Sequence, residues 1–229
     1  MKANLTRLHC SAAAAGACLA LAISLCVLPE AASAGIFRDM LSSVGLAKPD
    51  AAPTNANGVA SFPRQGYACC NLHYDKDWIN DGNYAELPMI AAGTPVQVLN
   101  YGRHRANVTI DGKKLGLGHD YGREQESLDV WVNKVVVNED PRPRIASYPF
   151  AVQEAIRQGK VMIGMTREQC IVSVGYPLTS ENTGLDATTW RIWRSTHGEY
   201  QLNFGPDGHL VSVTGDDEVT TQMLYRPGG

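Results

Sequence analysis

The chain has 229 residues, 44% of them hydrophobic and 19% charged, with a formal net charge of -3. That length supports one domain or two with a substantial buried core, and the near-neutral balance excludes a broad basic surface for nucleic acid. The absence of low-complexity tracts, heptads and solenoid periods excludes the repeat architectures.

Lys2 and Arg7 precede an uncharged apolar run from Cys10 to Leu28, and Ala32-Ser33-Ala34 follows with small residues at cleavage positions. This is the pattern of a secretory signal peptide over residues 1–34, so the mature chain is expected to be exported and to start at Gly35. The apolar run of about 19 residues is also close to the ~20 that span a bilayer, and an uncleaved anchor is the rival reading. Lipidation at Cys18 or Cys26 is a third, but Leu25 directly before Cys26 and Ala15 three before Cys18 make poor lipid-accepting sites. Cys69, Cys70 and Cys170 lie beyond the signal, in an oxidising compartment. Their odd number requires at least one free or intermolecular thiol.

Residues 35–66 read as a short helix and a flexible linker. Ile36, Phe37, Met40, Leu41 and Val44 fall at helical spacing, as a segment that touches membrane or partner or as a frayed leader. From Ala47 to Gly66 the composition shifts to Ala, Pro, Asn and Gly, too little apolar surface to offset ordering entropy.

Residues 67–140 carry β signals. Val96 to Leu99 follows Gly93-Thr94-Pro95, Ala106 to Ile110 meets Lys113 to Leu117 across Asp111-Gly112, and Asp129 to Val137 reads as a last long strand. An Asp-Gly pair between two such runs is a strong hairpin signal, and short strands at this spacing predict a small closed or half-closed barrel. The pattern resembles bacterial periplasmic SH3-like barrels.

Asn138 to Arg144 is a charged, proline-punctuated boundary. A second, α+β unit is expected over residues 145–214. Pro149 opens a helix in which Val152, Ala155 and Ile156 share a face, and Gly159 closes it. The next helix has both ends written into it. Thr166 is the N-cap and Gln169 completes a capping box, with Met165 and Cys170 placed to close a hydrophobic staple. Gly175 ends the helix and Pro177 prevents its resumption. Two turns with an apolar stripe at Cys170, Ile171 and Val174 hold only when docked on a sheet. Strands from Thr189 to Arg194, Tyr200 to Phe204 and His209 to Val213 follow, joined by short turns that force an antiparallel meander. Trp190, Ile192, Tyr200, Leu202, Phe204, Val211 and Val213 are expected against the two helices. The tail, residues 215–229, reads as loose.

Gly164-Met165-Thr166 with Gln169, Gly175 and Pro177, a strand at Trp190, and Phe204-Gly205-Pro206-Asp207-Gly208-His209-Leu210-Val211 are similar to the SmpA/OmlA domain, the small lipoprotein subunit of the outer-membrane β-barrel assembly machinery. The resemblance covers about Pro149 to Val213. It implies a non-enzymatic, cofactor-free binding module whose partners are other envelope proteins, including outer-membrane assembly components, with membrane contact through the N-terminal segment. β-Lactamase-inhibitor-like proteins share the helix-helix-sheet unit, so a soluble inhibitor of an envelope hydrolase is the alternative.

Cys69-Cys70-Asn71-Leu72-His73 is the stretch nearest to a metal motif, with His104, His119 and Asp120 as further candidates. Adjacent cysteines on a strand point to opposite faces, which disfavours shared ligation. The disulfide alternatives are one of the pair with Cys170, or Cys69 with Cys70; Cys170 also reads as the small apolar half of the staple. No Gly-x-Ser-x-Gly marks a nucleophile, and Asp216-Asp217-Glu218 reads as a solvated acidic end. Trp193 alternates with Trp190 and so faces away from the helices, either as a contact residue or buried against the β-domain.

Overall fold

A computed structural model describes residues 62–120 and 126–228. The signal peptide, the helix at 35–46 and most of the linker lie outside the described residues. The fold is α+β.

The first unit is a curled six-stranded sheet. Its strands are β1 (Arg64–Ala68), β3 (Trp78–Asn80), β5 (Pro95–Tyr101), β6 (Arg105–Ile110), β7 (Lys113–Gly118) and β8 (Val136–Val137), in the order β3-β7-β6-β5-β1-β8. Only β3 and β7 run parallel. β2 (Leu72–His73) and β4 (Met89–Ile90) form a separate small ladder. Period-two alternation puts Val96, Val98, Ala106, Val108 and Ile110 in the core. Asp111 and Gly112 both have positive φ, 49° and 74°, the two-residue turn that their identities favour.

Two expectations need correction here. The linker stops sooner than Gly66, because β1 begins at Arg64 and pairs with β5. Asp129 to Val137 is chiefly not a strand: Leu128–Val135 is a helix, α1, and only Val136–Val137 joins the sheet, against β1. Trp131, Val132 and Val135 at i, i+1 and i+4 are buried on one helical face against β6 and β7, and this burial outweighs the strand preference of a valine-rich run. The charged boundary also carries a short helix, α2 (Arg142–Ala146).

The second unit contains α3 (Phe150–Arg157), α4 (Arg167–Val174) and a meander of β9 (Thr189–Ser195), β10 (Gly198–Phe204) and β11 (Leu210–Gly215), in the order β11-β10-β9. Val152, Ala155 and Ile156 of α3 and Cys170, Ile171 and Val174 of α4 share one core with Trp190, Ile192, Tyr200, Leu202 and Phe204. Val211 departs from expectation and is 56% exposed, while Leu210 is buried. A bulge explains it: Leu202 pairs with Val213, but Phe204 pairs with Leu210, so one extra residue turns Val211 outward. The tail is not loose either. Asp216 caps a helix, α5 (Asp217–Met223), by accepting from the amides of Glu218 and Val219, and Met223 is buried against the second core. The acidic end is a helix start, where negative charge is favoured by the free amides.

Candidate functional site at the domain junction

The end of α4 leaves backbone carbonyls without helical partners, as every helix end does. Ile171 O keeps the last helical bond, from Gly175 N at 2.8 Å, and Val172 O accepts from Asn71 N at 3.0 Å. Ser173 O accepts from Asn71 Nδ2 at 3.0 Å, and Val174 O from Asn83 Nδ2 at 3.0 Å. The donors to these last three carbonyls all belong to the β-domain. Asn71 Nδ2 also donates to Ile156 O near the end of α3, at 2.6 Å, and its Oδ1 accepts from Ala92 N at 3.0 Å. Asn83 Nδ2 donates to Asn71 O at 2.9 Å, while its Oδ1 accepts from His73 N at 2.8 Å. Two buried asparagines thus finish both helices of one domain from the other, through side-chain amides that bond to backbone.

Cys69 and Cys70 immediately precede Asn71 and are joined to each other by a disulfide, which decides between the sequence alternatives. Cys69 N donates to Val135 O at 3.0 Å. Closing a ring across one peptide recovers only about 1 kcal/mol of chain entropy. The bond acts locally, as an apolar wall between two features of the junction. On one side Cys69 lines a cavity of about 80 Å³ with Val137, Pro141, Arg144, Val172 and Tyr176. On the other Cys70 packs near Asp81, Asn83 and Trp131. At the first, Arg144 Nη1 lies 2.8 Å from Glu168 Oε1, to which Tyr148 OH also donates at 3.1 Å. Burial, with the Glu168 charge beside it, pushes Tyr148 up to about 12, and burial likewise raises Tyr176. Both phenols are neutral donors at physiological pH.

Asp81 is buried and its Oδ2 lies 3.0 Å from His119 Nδ1, while Asp120 N donates to Asp81 Oδ1 at 3.2 Å. The His119 ring packs on Trp131, with centroids 5.3 Å apart. A carboxylate orients this imidazole, as in many structural and catalytic pairs. Among the described residues no three His, Cys, Asp or Glu side chains converge as metal ligands. The sulfurs of Cys69 and Cys70 are consumed by their own bond, and His104 is exposed on the turn before β6.

The other singled-out residues lie mainly around α4. Thr166 Oγ1 accepts from Gln169 N at 3.2 Å and Gln169 Oε1 accepts from Thr166 N at 2.9 Å, the capping box in full. Met165 and Cys170 are both fully buried in one core. Cys170 is a free thiol held far from ionisation by burial. Gly175 has φ +86° with an extended ψ, and Pro177 follows, buried. Trp193 is half-buried, and its Nε1 donates to Glu181 Oε2 at 2.7 Å, in the loop between α4 and β9. Asn71 and Asn83 escaped the sequence reading. The one signal available was Asn80-Asp81-Gly82-Asn83, a polar turn cluster in which Asn83 takes φ +46°.

Comparison of the chain with family models, with curated proteins and with solved structures gave no match.

Proposed function

We propose that the chain is an exported, non-catalytic binding protein of the Gram-negative envelope, an SH3-like β-barrel joined to an SmpA/OmlA-like domain. It works in the periplasm at or near the outer membrane, in assembly or maintenance of that membrane, through contact with other envelope proteins. The observation that carries the reading is the unit α3-α4-β9-β10-β11. Two helices cover one face of an antiparallel meander, and α4 opens on the Thr166–Gln169 box and closes at Gly175. This is the arrangement that the SmpA/OmlA resemblance implies. The Cys69–Cys70 disulfide supports export, because such bonds persist in oxidising compartments. The curled sheet supports the SH3-like part at the level of architecture.

Affinity purification of the tagged full-length protein from crosslinked, detergent-solubilised envelopes tests the reading. Co-purification with outer-membrane assembly components is expected. Recovery of the protein alone, in the soluble periplasmic fraction, overturns it.

A further inference from the structure

An open cavity of about 290 Å³ lies on the face of the junction lined by His73, Gly159, Lys160, Arg194 and Gln222. Its walls come from β2, the end of α3, β9 and α5, which only the docking of the two domains brings together. Lys160 and Arg194 contribute two positive charges. Arg194 Nη1 is 3.6 Å from Glu86 Oε2, a loose pair, and the Lys160 ammonium has no hydrogen bond or ion pair among the described residues. One net positive charge is left facing the space.

Two further polar side chains of this wall are withdrawn from solvent: His73 is 3% exposed and Gln222 is half-buried. Burial, opposed by Asn83, pushes His73 down to about 4, so at neutral pH the ring can both donate and accept. Gly159, at φ +64°, lets the wall approach: a side chain there would meet Met89 Sδ at 3.2 Å.

We propose that this cavity binds a small ligand bearing one carboxylate, held between Lys160 and Arg194, with its remaining polar groups against the wall that His73 and Gln222 help to form. A monoanion balances the charge that remains after Glu86 is counted, whereas a dianion brings an uncompensated charge into a half-buried site. Small-molecule sites run from about 300 Å³ upward, so this one suits an acylated amino acid or a peptide C-terminus. Those two sources present the same chemistry. The site is independent of the envelope role proposed above.

The test is a titration of the full mature protein followed by the ring signals of His73, assigned with His73→Gln. N-acetylglycine is the probe, with its amide, inorganic phosphate, and trialanine with free or amidated C-terminus as further arms. Saturable shifts from the free acids and none from the amides are expected. Lys160→Gln removes no contact of the fold and should weaken binding about ten-fold, the loss of one charge-assisted contact. Tighter binding of N-acetylglycine identifies a free acid as the ligand, and tighter binding of trialanine a peptide end. The proposal is overturned by an absence of saturable shifts with both acids, by equal shifts from the amides, by tighter binding of phosphate, or by unchanged affinity in a folded Lys160→Gln variant.

Discussion

The side-chain amide of Asn83 occupies the space that a side chain on Gly175 would need. A Cβ built on Gly175 overlaps Asn83 Nδ2, the atom that donates to Val174 O. Gly175 also holds φ +86° with ψ near 180°, a region open essentially to glycine alone. Gly175→Ala therefore combines backbone strain with a displaced buried hydrogen bond and should destabilise by about 3–5 kcal/mol. Denaturant unfolding followed by tryptophan fluorescence measures it. A loss below about 1 kcal/mol would show that the junction yields freely.

Asn71→Ala strands Ser173 O and Ala92 N and leaves Ile156 O with Gly159 N alone, at an expected cost of about 2–4 kcal/mol. Asn83→Ala strands Val174 O, Asn71 O and His73 N. Both residues finish the same helix end, so the double variant should lose about 1–2 kcal/mol less than the sum of the singles. Strict additivity in the four-member cycle would mean that the two amides act separately.

A chain beginning at Gly35 holds Cys69, Cys70 and Cys170. Thiol titration should find none reactive in the native state, because Cys170 is buried and the other two are joined. Unfolding should release Cys170 alone, and reduction of the unfolded chain all of them. Reduction of the folded protein should cost about 1 kcal/mol, the small entropy of so short a ring, because both sulfurs stay in place. A native thiol, or a loss several times larger, contradicts this assignment.

Acid should weaken the fold through His73. Burial lowers it from 6.5 to about 4, so the unfolded chain takes up the proton first. Its contribution is complete above the unfolded value and is lost as pH falls through the interval from 6.5 toward 4. The change amounts to about 3 kcal/mol. Stability measured against pH in the parent and in His73→Gln gives the comparison. The variant should show a flatter slope over that interval, and an identical slope would remove His73 as the source.

What the chain determined by itself lies within a few residues of each signal. Thr166 with Gln169, Pro149 with Gly159, and Asp111-Gly112 specify their turns through bonds and dihedrals local to them, so the α3-α4-meander order was legible before any coordinates. Asp216 as an N-cap is equally local, but its acidic neighbours make the same residues read as a solvated end.

Tertiary structure decided the rest. The valine-rich run ending at Val137 satisfies strand and helix preferences alike, and only the concave face of the sheet selects the helix. The bulge that turns Val211 outward depends on where β10 sits on β11. Asn71 reaches Ile156 and Ser173 across 85 and 102 residues. A lone buried amide has no period to reveal it, and its value arises only when a distant helix end, with unpaired carbonyls, is packed against it.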